Sequence, residues 1–460
     1  MNVIFILSDD HRFDFMGFTG KVPWLETPNM DRMAREGAHV KNAFVTTSLC
    51  SPSRASILTG LFSHTHGIID NQAPDPGDLT FFPQYLQKAG YQTGFFGKWH
   101  MGSNKDDPRP GFDHWVSFKG QGVYYNPTLN INGEKVIYKD STYISELLTD
   151  LNLDWLEKRD KDKPFFAYLS HKAVHAGFKP ARKDLSDYEE EELIFPPSYN
   201  MTKDDTYKKH GLPEWVKQQR YSWHGVDYMY HGGHNFETFF KAYCETLKGI
   251  DESIGRVLEY LENEGLADNT MVIYMGDNGF SFGEHGLIDK RHAYEESMKV
   301  PFLVWAPGIM KEKRVVEAMV QNIDVAPTVL EMAGLKAPEH FQGKSFLPLL
   351  KGEVPDDWRK RIYYEYYWEY TYPQTPTVHA VRTDKYKYIR YHGVWDSNEL
   401  YDMINDPYEM NNLIREPEHQ NMIKELRSDI DSWLEESEGM SIPLKRMYYP
   451  RRDHKNKGLF

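Results

Sequence analysis

The chain has 460 residues, 40% hydrophobic, 27% charged and 14% aromatic, which is the composition of a folded globular protein with ample core. Its diffuse net charge of −14 argues against a nucleic-acid or anionic-membrane partner, so any anion site must be a local positive pocket. No apolar run reaches the roughly 18–20 residues of a membrane span, and if Cys50 has a chemical role, Cys244 is left without a disulfide partner.

Val3-Ile4-Phe5-Ile6-Leu7 is a continuous apolar run, as in a strand buried on both faces of a parallel sheet, and it ends in Ser8-Asp9-Asp10-His11. Thr27-Pro28-Asn29 starts a helix that runs to Gly37. Residues 43–47 lead into Cys50-Ser51-Pro52-Ser53-Arg54, where Ser51 is a candidate N-cap and Pro52 fits the first helical position. Ile57 and Leu58 supply an apolar face and Gly60 a stop. Cys50 is then expected just before a helix N-terminus, which attracts anions, with Arg54 one turn further in. For a cysteine alone, the ordinary reading is a small buried residue before a capped helix.

Residues 82–89 read as a short helix stopped by Gly90, and 91–97 as a strand delivering Lys98-Trp99-His100. Residues 142–158 have helical periodicity, and 164–169 form a strand leading to Ser170-His171-Lys172-Ala173-Val174-His175. Residues from about 176 to 234 lack periodicity, as in a functional loop or insertion. Phe236, Phe240, Tyr243, Leu247, Ile250, Ile254, Val257 and Leu261 mark a long amphipathic helix closed near Gly265. Residues 270–275 are a buried strand ending in Gly276-Asp277-Asn278-Gly279; 300–305 are another strand, and 324–334 a helix with Asp324 as candidate N-cap. After Trp358 the segments 362–370, 379–383, 386–391 and 399–401 read as short antiparallel strands, 419–435 as a helix, and the basic tail 447–460 as loosely ordered. The expected division is an N-terminal domain over 1–358 and a smaller C-terminal α+β subdomain over 359–460.

Alternating strands and helices predict a doubly wound α/β sheet, in which ligands collect beyond the C-terminal strand ends. The polar clusters Asp9/Asp10, Lys98/His100, His171/His175 and Asp277/Asn278 mostly follow a predicted strand directly. Asp9, Asp10, Asp277 and Asn278 offer three carboxylates and an amide oxygen, hard ligands suited to Ca²⁺ or Mg²⁺. Taken singly, such residues are also ordinary turn formers.

The Cys-x-Pro-Ser-Arg-x-x-x-Leu-Thr-Gly spacing resembles the signature of the type I sulfatases of the alkaline-phosphatase superfamily. Gly97-Lys98-Trp99-His100-Met101-Gly102 resembles that family's G-K-W-H-x-G element. The run from Gly283 to Arg291 matches its G-E-H-G-x-x-D-K-R element, and the run ending in His175 matches its second histidine element, with Val174 where Pro is usual. The resemblance implies a large mixed, mostly parallel alkaline-phosphatase-like sheet flanked by helices, with a C-terminal subdomain that carries a short antiparallel sheet and contributes to the substrate pocket. It implies that Cys50 is oxidised to Cα-formylglycine, whose hydrate attacks sulfur. It also implies that Asp9, Asp10, Asp277, Asn278 and a formylglycine oxygen at position 50 hold one divalent cation, usually calcium. By the same carry-over Arg54, Lys98 and Lys290 balance sulfuryl charge, His175 protonates the leaving alcohol and His100 assists release of sulfate. His171, Arg291, His379, Arg382, His392 and Trp395 are further candidates for substrate contact.

Asp70-Asn71-Gln72 and the run Gly120 to Pro127 resemble bacterial carbohydrate sulfatases of the N-acetylglucosamine-6-sulfatase and polysaccharide-desulfating kind. The implied partners are a sulfated glycan and a formylglycine-generating or sulfatase-maturing enzyme acting on Cys50. The chain opens directly on a strand, so the expected location is periplasmic or secreted with the signal peptide absent from this sequence, with a cytoplasmic location as the alternative. The rival readings are a phosphonate monoester hydrolase or phosphodiesterase of the same superfamily, a non-catalytic glycan-binding relative, and a two-metal phosphatase. The second would have lost Cys50, Arg54 or a metal carboxylate; the third would want more His and Asp ligands.

Overall fold

The computed structural model describes residues 1–74, 77–102, 104–232, 235–310, 312–393 and 397–443. Ten strands form one mixed sheet in the order Arg314–Val316, Ala38–Val40, Phe302–Trp305, Thr270–Gly276, Asn2–Ser8, Phe165–Ser170, Gln92–Gly97, His114–Ser117, Thr128–Ile131 and Glu134–Ile137. The strands from Thr270–Gly276 through His114–Ser117 are parallel. Phe302–Trp305 and the last two strands run antiparallel to their neighbours. The apolar run at the N-terminus is thus paired on both sides within the parallel block.

Its side chains alternate between two cores. Ile4 and Ile6 face one, and Val3, Phe5 and Leu7 the other. All five are fully buried; their transfer from water is worth on the order of 10 kcal/mol before chain entropy is subtracted. The long helix Phe236–Asn263, with Ile144–Lys158 and Pro28–Glu36, contributes to the first core. Cys50–Thr59, Val325–Met332 and Pro83–Lys88 contribute to the second. Asn235 caps the long helix by accepting from the Glu237 and Thr238 N–H groups at 2.9 and 3.2 Å.

Two expected caps are corrected. The helix after Leu49 begins at Cys50 itself, so Cys50 is its first residue and Pro52 its third. Ser51 does not cap it; its hydroxyl donates to the His100 carbonyl. Asp324 accepts from the Gln321 N–H at 2.8 Å, closing a capping box on the short 3-10 turn Asn322–Asp324 rather than capping Val325–Met332. The strands at 114–117, 128–131 and 134–137 were not legible, because the last two are short and partly exposed and carry no clear alternation.

Beyond Trp358, Arg361–Tyr366, Thr377–Thr383, Tyr386–His392 and Glu399–Asp402 form a four-stranded antiparallel sheet. Leu426, Ile430, Trp433 and Leu434 of the Gln420–Glu436 helix pack with Val381, Tyr388 and Leu400 of this sheet. Tyr364, Tyr366, Val378, Ala380 and Ile389 pack with Phe44, Leu49, Tyr294 and Met298 of the preceding chain. Among the described residues, no helix is long and apolar enough to cross a membrane. Both cysteines are free and buried. The tail 447–460 and Trp395 lie outside the described residues.

Candidate active site

Register brings the site together. Ser8 is aligned with Gly276, and Leu7 and Gly97 are both aligned with Ser170. The residues that follow, Asp9, Asp277, Lys98 and His171, therefore leave the sheet at one level. Backbone bonds fix the exits: Asp277 N–H donates to the Ser8 carbonyl at 2.9 Å, Asp9 N–H to Ala173 at 2.9 Å and Lys98 N–H to Ser170 at 2.8 Å. The chain turns sharply at Asp10 and His100, whose φ values are 56° and 59°.

Cys50 is brought over these strand ends by its helix, which is buried along its whole length. The thiol Sγ lies 3.5 Å from Asp9 Oδ1 and 3.4 Å from Lys290 Nζ. Arg54, one turn on, donates from Nε to Asp277 Oδ2 at 2.9 Å and from Nη1 to the Lys98 carbonyl and Ser170 Oγ at 2.8 and 2.7 Å. Lys98 pairs with Asp9 and also donates to Gln121. Lys290 pairs with Asp10. Three buried carboxylates thus face three buried cations.

Burial works to raise the Asp9 carboxyl, but Lys98, His175, Arg54 and Lys290 together hold it well below the usual carboxylate range. Burial pushes Asp10 up to about 7, with Lys290 opposing, and raises Asp277. Burial also pushes the Cys50 thiol up to about 12, so an unmodified cysteine here stays protonated at neutral pH and is a poor nucleophile. His100 and His175 are held well below the ordinary histidine value, first by burial and also by Lys98.

A hard divalent cation fits this donor set. Oxygens of Asp9, Asp10 and Asp277 lie within 4.8 Å of one another. Asn278 Nδ2 donates to Asp10 Oδ1 at 2.7 Å and to the Gly279 carbonyl at 2.9 Å, while its buried Oδ1 has no hydrogen-bond partner among the described residues. A buried amide oxygen without a donor, beside three carboxylates, is the oxygen-rich arrangement that Ca²⁺ or Mg²⁺ requires.

Cys50, Arg54, Lys98, Lys290, Asp9, Asp10, Asp277, Asn278 and His175 converge here. His175 Nε2 is 3.9 Å from Asp10 Oδ2, and its side chain is 20% exposed, on the open side. His100 stands beside Ser51, with Nδ1 at 3.4 Å from Ser51 Oγ. Other candidates are not brought to the cluster. His171 is fully buried and meets Ser253 of the long helix at 3.0 Å. His379 and His392 pair with each other at 2.7 Å, against Tyr367 and Trp433. Arg382 lies 3.5 Å from Glu295, inside a buried network with Lys387 and Glu409. His379, His392 and Arg382 are taken up in contacts of the C-terminal sheet and His171 in one with the long helix; sequence could not tell a polar residue turned into a packing contact from one turned into a cleft.

Arg291 lies at the margin, 2.9 Å from Glu369, with its guanidinium over the Tyr372 ring at 3.9 Å. Asp289 joins it, 3.0 Å from His224 Nε2 and 3.1 Å from the Tyr230 hydroxyl. Gln121, Asp289, His224, Tyr230 and Tyr372 were missed as site residues. Only Gln121 and Asp289 had a signal, from their place inside motif runs.

Fold and site define an α/β protein whose cation-ready carboxylate centre surrounds a buried cysteine at a helix start. The model of the family described as Sulfatase matches residues 1–335, and one described as N-sulphoglucosamine sulphohydrolase, C-terminal, matches residues 283–436. The chain belongs to the sulfatase family and is a sulfuric ester hydrolase. It is 36% identical to an N-acetylglucosamine-6-O-sulfatase of Bacteroides thetaiotaomicron, over 92% of this chain and 84% of that protein. It is 29% identical to an ulvan-active sulfatase of Formosa agariphila, over 95% and 81%. A solved structure of a protein in complex with its substrate D-glucosamine-2-N,6-O-disulfate superposes with a TM-score of 0.84 and 33% identity, covering 97% of this chain and 99% of that one.

Proposed function

We propose that this protein removes sulfate from an ester on a sulfated carbohydrate, with a 6-O-sulfated glucosamine unit as the favoured substrate. The observation that carries the reading is the neutralised cluster around position 50: Asp9, Asp10, Asp277 and the orphaned Asn278 oxygen on one side, Arg54, Lys98 and Lys290 on the other. The relatives acting on glucosamine sulfate supply the sugar.

In this reading Cys50 is the precursor of formylglycine, converted by a maturing enzyme. Burial pushes the Cys50 thiol up, so an unmodified cysteine at this position is a weak nucleophile and the reading rests on the modified residue. Asp9, Asp10, Asp277 and Asn278 would hold a divalent cation that would supply Lewis-acid stabilisation of negative charge on oxygen, with Ca²⁺ favoured by the family and Mg²⁺ compatible with the same ligands. Lys98 and Lys290 bind sulfuryl oxygens through Nζ. Arg54 orients the Asp277 carboxylate from below. His175 faces the open side and gives the Nε2 proton to the departing sugar oxygen; burial keeps the free imidazole neutral, and the charge of a bound sulfate ester favours the protonated ring. His100 receives the proton of the remaining formylglycine hydroxyl as the bond to sulfate breaks and the aldehyde re-forms. The catalytic part spans 1–358 and the part over 359–460 completes the sugar pocket. The enzyme works in the periplasm or outside the cell.

Mass spectrometry of the peptide carrying position 50, from an active preparation, tests the nucleophile: conversion to formylglycine is expected, and an unmodified cysteine in fully active protein refutes it. A panel of 6-O-sulfated glucosamine derivatives, sulfated algal oligosaccharides and phosphate diesters tests the substrate. Faster turnover of phosphate diesters than of every sulfate ester would overturn the assignment.

A further inference from the structure

Lys172 is a buried cation without an acidic partner among the described residues. The residue is 5% exposed, and its ammonium lies over the Tyr124 ring, 4.5 Å from the centroid. The other buried cations of the site each face a carboxylate: Arg54 with Asp277, Lys98 with Asp9, Lys290 with Asp10 and Arg291 with Glu369. Among the described residues none pairs with Lys172. A ring face offsets part of the cost of burying an ammonium, but it occupies none of the three N–H donors.

The surroundings are built and tie Lys172 to the site. Lys172 follows the Phe165–Ser170 strand, and its carbonyl accepts from the His175 N–H at 3.1 Å. The Tyr124 hydroxyl donates to the His175 carbonyl at 2.7 Å, so the aromatic platform and the histidine are locked together. Tyr124 is held by the turn at Gly122, where φ is 63° and a Cβ would meet the Phe118 ring at 2.5 Å. The charges that act on Lys172 are those of Lys98, Asp9, Asp10 and position 50; burial and Lys98 together lower its pKa to about 8, which leaves it largely charged at neutral pH. At the nucleophile three carboxylates already balance three cations, so Lys172 is surplus positive charge, placed next to the histidine that faces the leaving sugar.

We propose that Lys172, on its Tyr124 platform, is a second anion subsite that binds a negatively charged group of the sugar itself or of the adjoining residue, so that the preferred substrate carries two anionic groups. The ligand chemistry is a sulfate or a carboxylate. The inference rests on the sulfatase reading for the placement of the sugar, and it adds a specificity determinant beyond the sulfate under attack.

The test compares the mature enzyme with Lys172→Met, which keeps chain length, and Lys172→Arg, which keeps charge. Three substrates are used: N-acetylglucosamine-6-O-sulfate, glucosamine-2-N,6-O-disulfate, and a 6-O-sulfated N-acetylglucosamine joined to a uronic acid. Lys172→Met is expected to lower kcat/KM on at least one dianionic substrate at least tenfold more than on the monoanionic one, chiefly through KM, with Lys172→Arg recovering most of the difference. The responding substrate distinguishes sulfate from carboxylate. Equal losses on all three would place Lys172 on the sulfate under attack or in the fold, and no loss would remove it from recognition; both overturn the proposal. Calorimetric binding of the same sugars to Cys50→Ala, with and without Lys172→Met, decides the point even if no sulfate ester is cleaved. A selective loss of dianion affinity then upholds the subsite while the proposed activity fails, and equal affinities overturn the subsite.

Discussion

Arg54→Met tests whether the site is a balanced charge cluster completed by a cation. Arg54 is 1% exposed, and its guanidinium contacts Asp277 Oδ2 from two nitrogens, at 2.9 and 2.8 Å, as well as the Lys98 carbonyl and Ser170 Oγ. Methionine fills much of the same space but leaves Asp277 buried and uncompensated. Removing one partner of a buried pair costs about 3–5 kcal/mol, and that loss is expected in urea unfolding of cation-free protein. A cation at Asp9, Asp10, Asp277 and Asn278 would replace the missing positive charge. The deficit should therefore narrow by at least about 1.4 kcal/mol at saturating Ca²⁺, which by linkage is at least tenfold tighter cation binding by the variant. Turnover should fall by roughly 10²–10³, as for loss of a preorganised cationic group. Urea unfolding in EDTA and in Ca²⁺, with calorimetric titration of the cation, measures all three. An identical deficit with and without the cation, or one below about 1 kcal/mol in EDTA, would refute the reasoning.

Cys50→Ala should reduce turnover to background while urea unfolding stays within about 1–2 kcal/mol of the parent, since one small buried side chain replaces another; retained activity would exclude position 50 as nucleophile. Gly97→Ala should prevent accumulation of folded protein. Gly97 has φ of 123° where the strand delivers Lys98, and a Cβ would sit 1.8 Å from the Ser170 carbonyl oxygen, a clash with backbone; soluble, active Gly97→Ala would contradict the register described. The pair His64–Glu365, 2.7 Å apart, joins the Ser63–His66 turn to the C-terminal sheet. Burial disfavours the charged ring, but Glu365 overcomes it and raises the folded-state pKa of His64, while burial opposes and His64 outweighs it to lower Glu365. The His64 contribution is present below the unfolded histidine value and is lost as pH rises through the raised one; the Glu365 contribution is lost only as pH falls through the lowered one. His64→Gln should therefore cost roughly 1–2 kcal/mol more at pH 6 than at pH 9, and an equal cost at both would refute the pairing.

The limits of sequence reading show at particular residues. The strands at 2–8, 165–170 and 270–276 were legible because a strand buried on both faces is apolar along most of its length, and each run here ends abruptly in polar residues; 92–97, with Gln92, Thr93 and two glycines, was read from its place between the Gly90 stop and Lys98. The strands at 128–131 and 134–137 were not, because at a half-exposed sheet edge no hydrophobic pattern is imposed. The direction of Phe302–Trp305 was equally hidden, since an apolar run has no sign. The helix start was placed two residues late because Ser51 and Pro52 look like cap and first turn, whereas the Ser51 hydroxyl is taken by the His100 carbonyl.

The sequence by itself determined the chemistry available: one cysteine in a long specific motif, hard oxygen ligands and cations at strand ends, and the family these motifs resemble. That information is local, carried by residues a few positions apart. Only the tertiary structure decided which polar residues share a cavity. Register aligned Asp9, Asp277 and Lys98, while His171, His379, His392 and Arg382 were turned into packing contacts by elements distant in sequence. It also singled out Lys172, because whether a buried ammonium has a counter-charge depends on every chain segment that surrounds it.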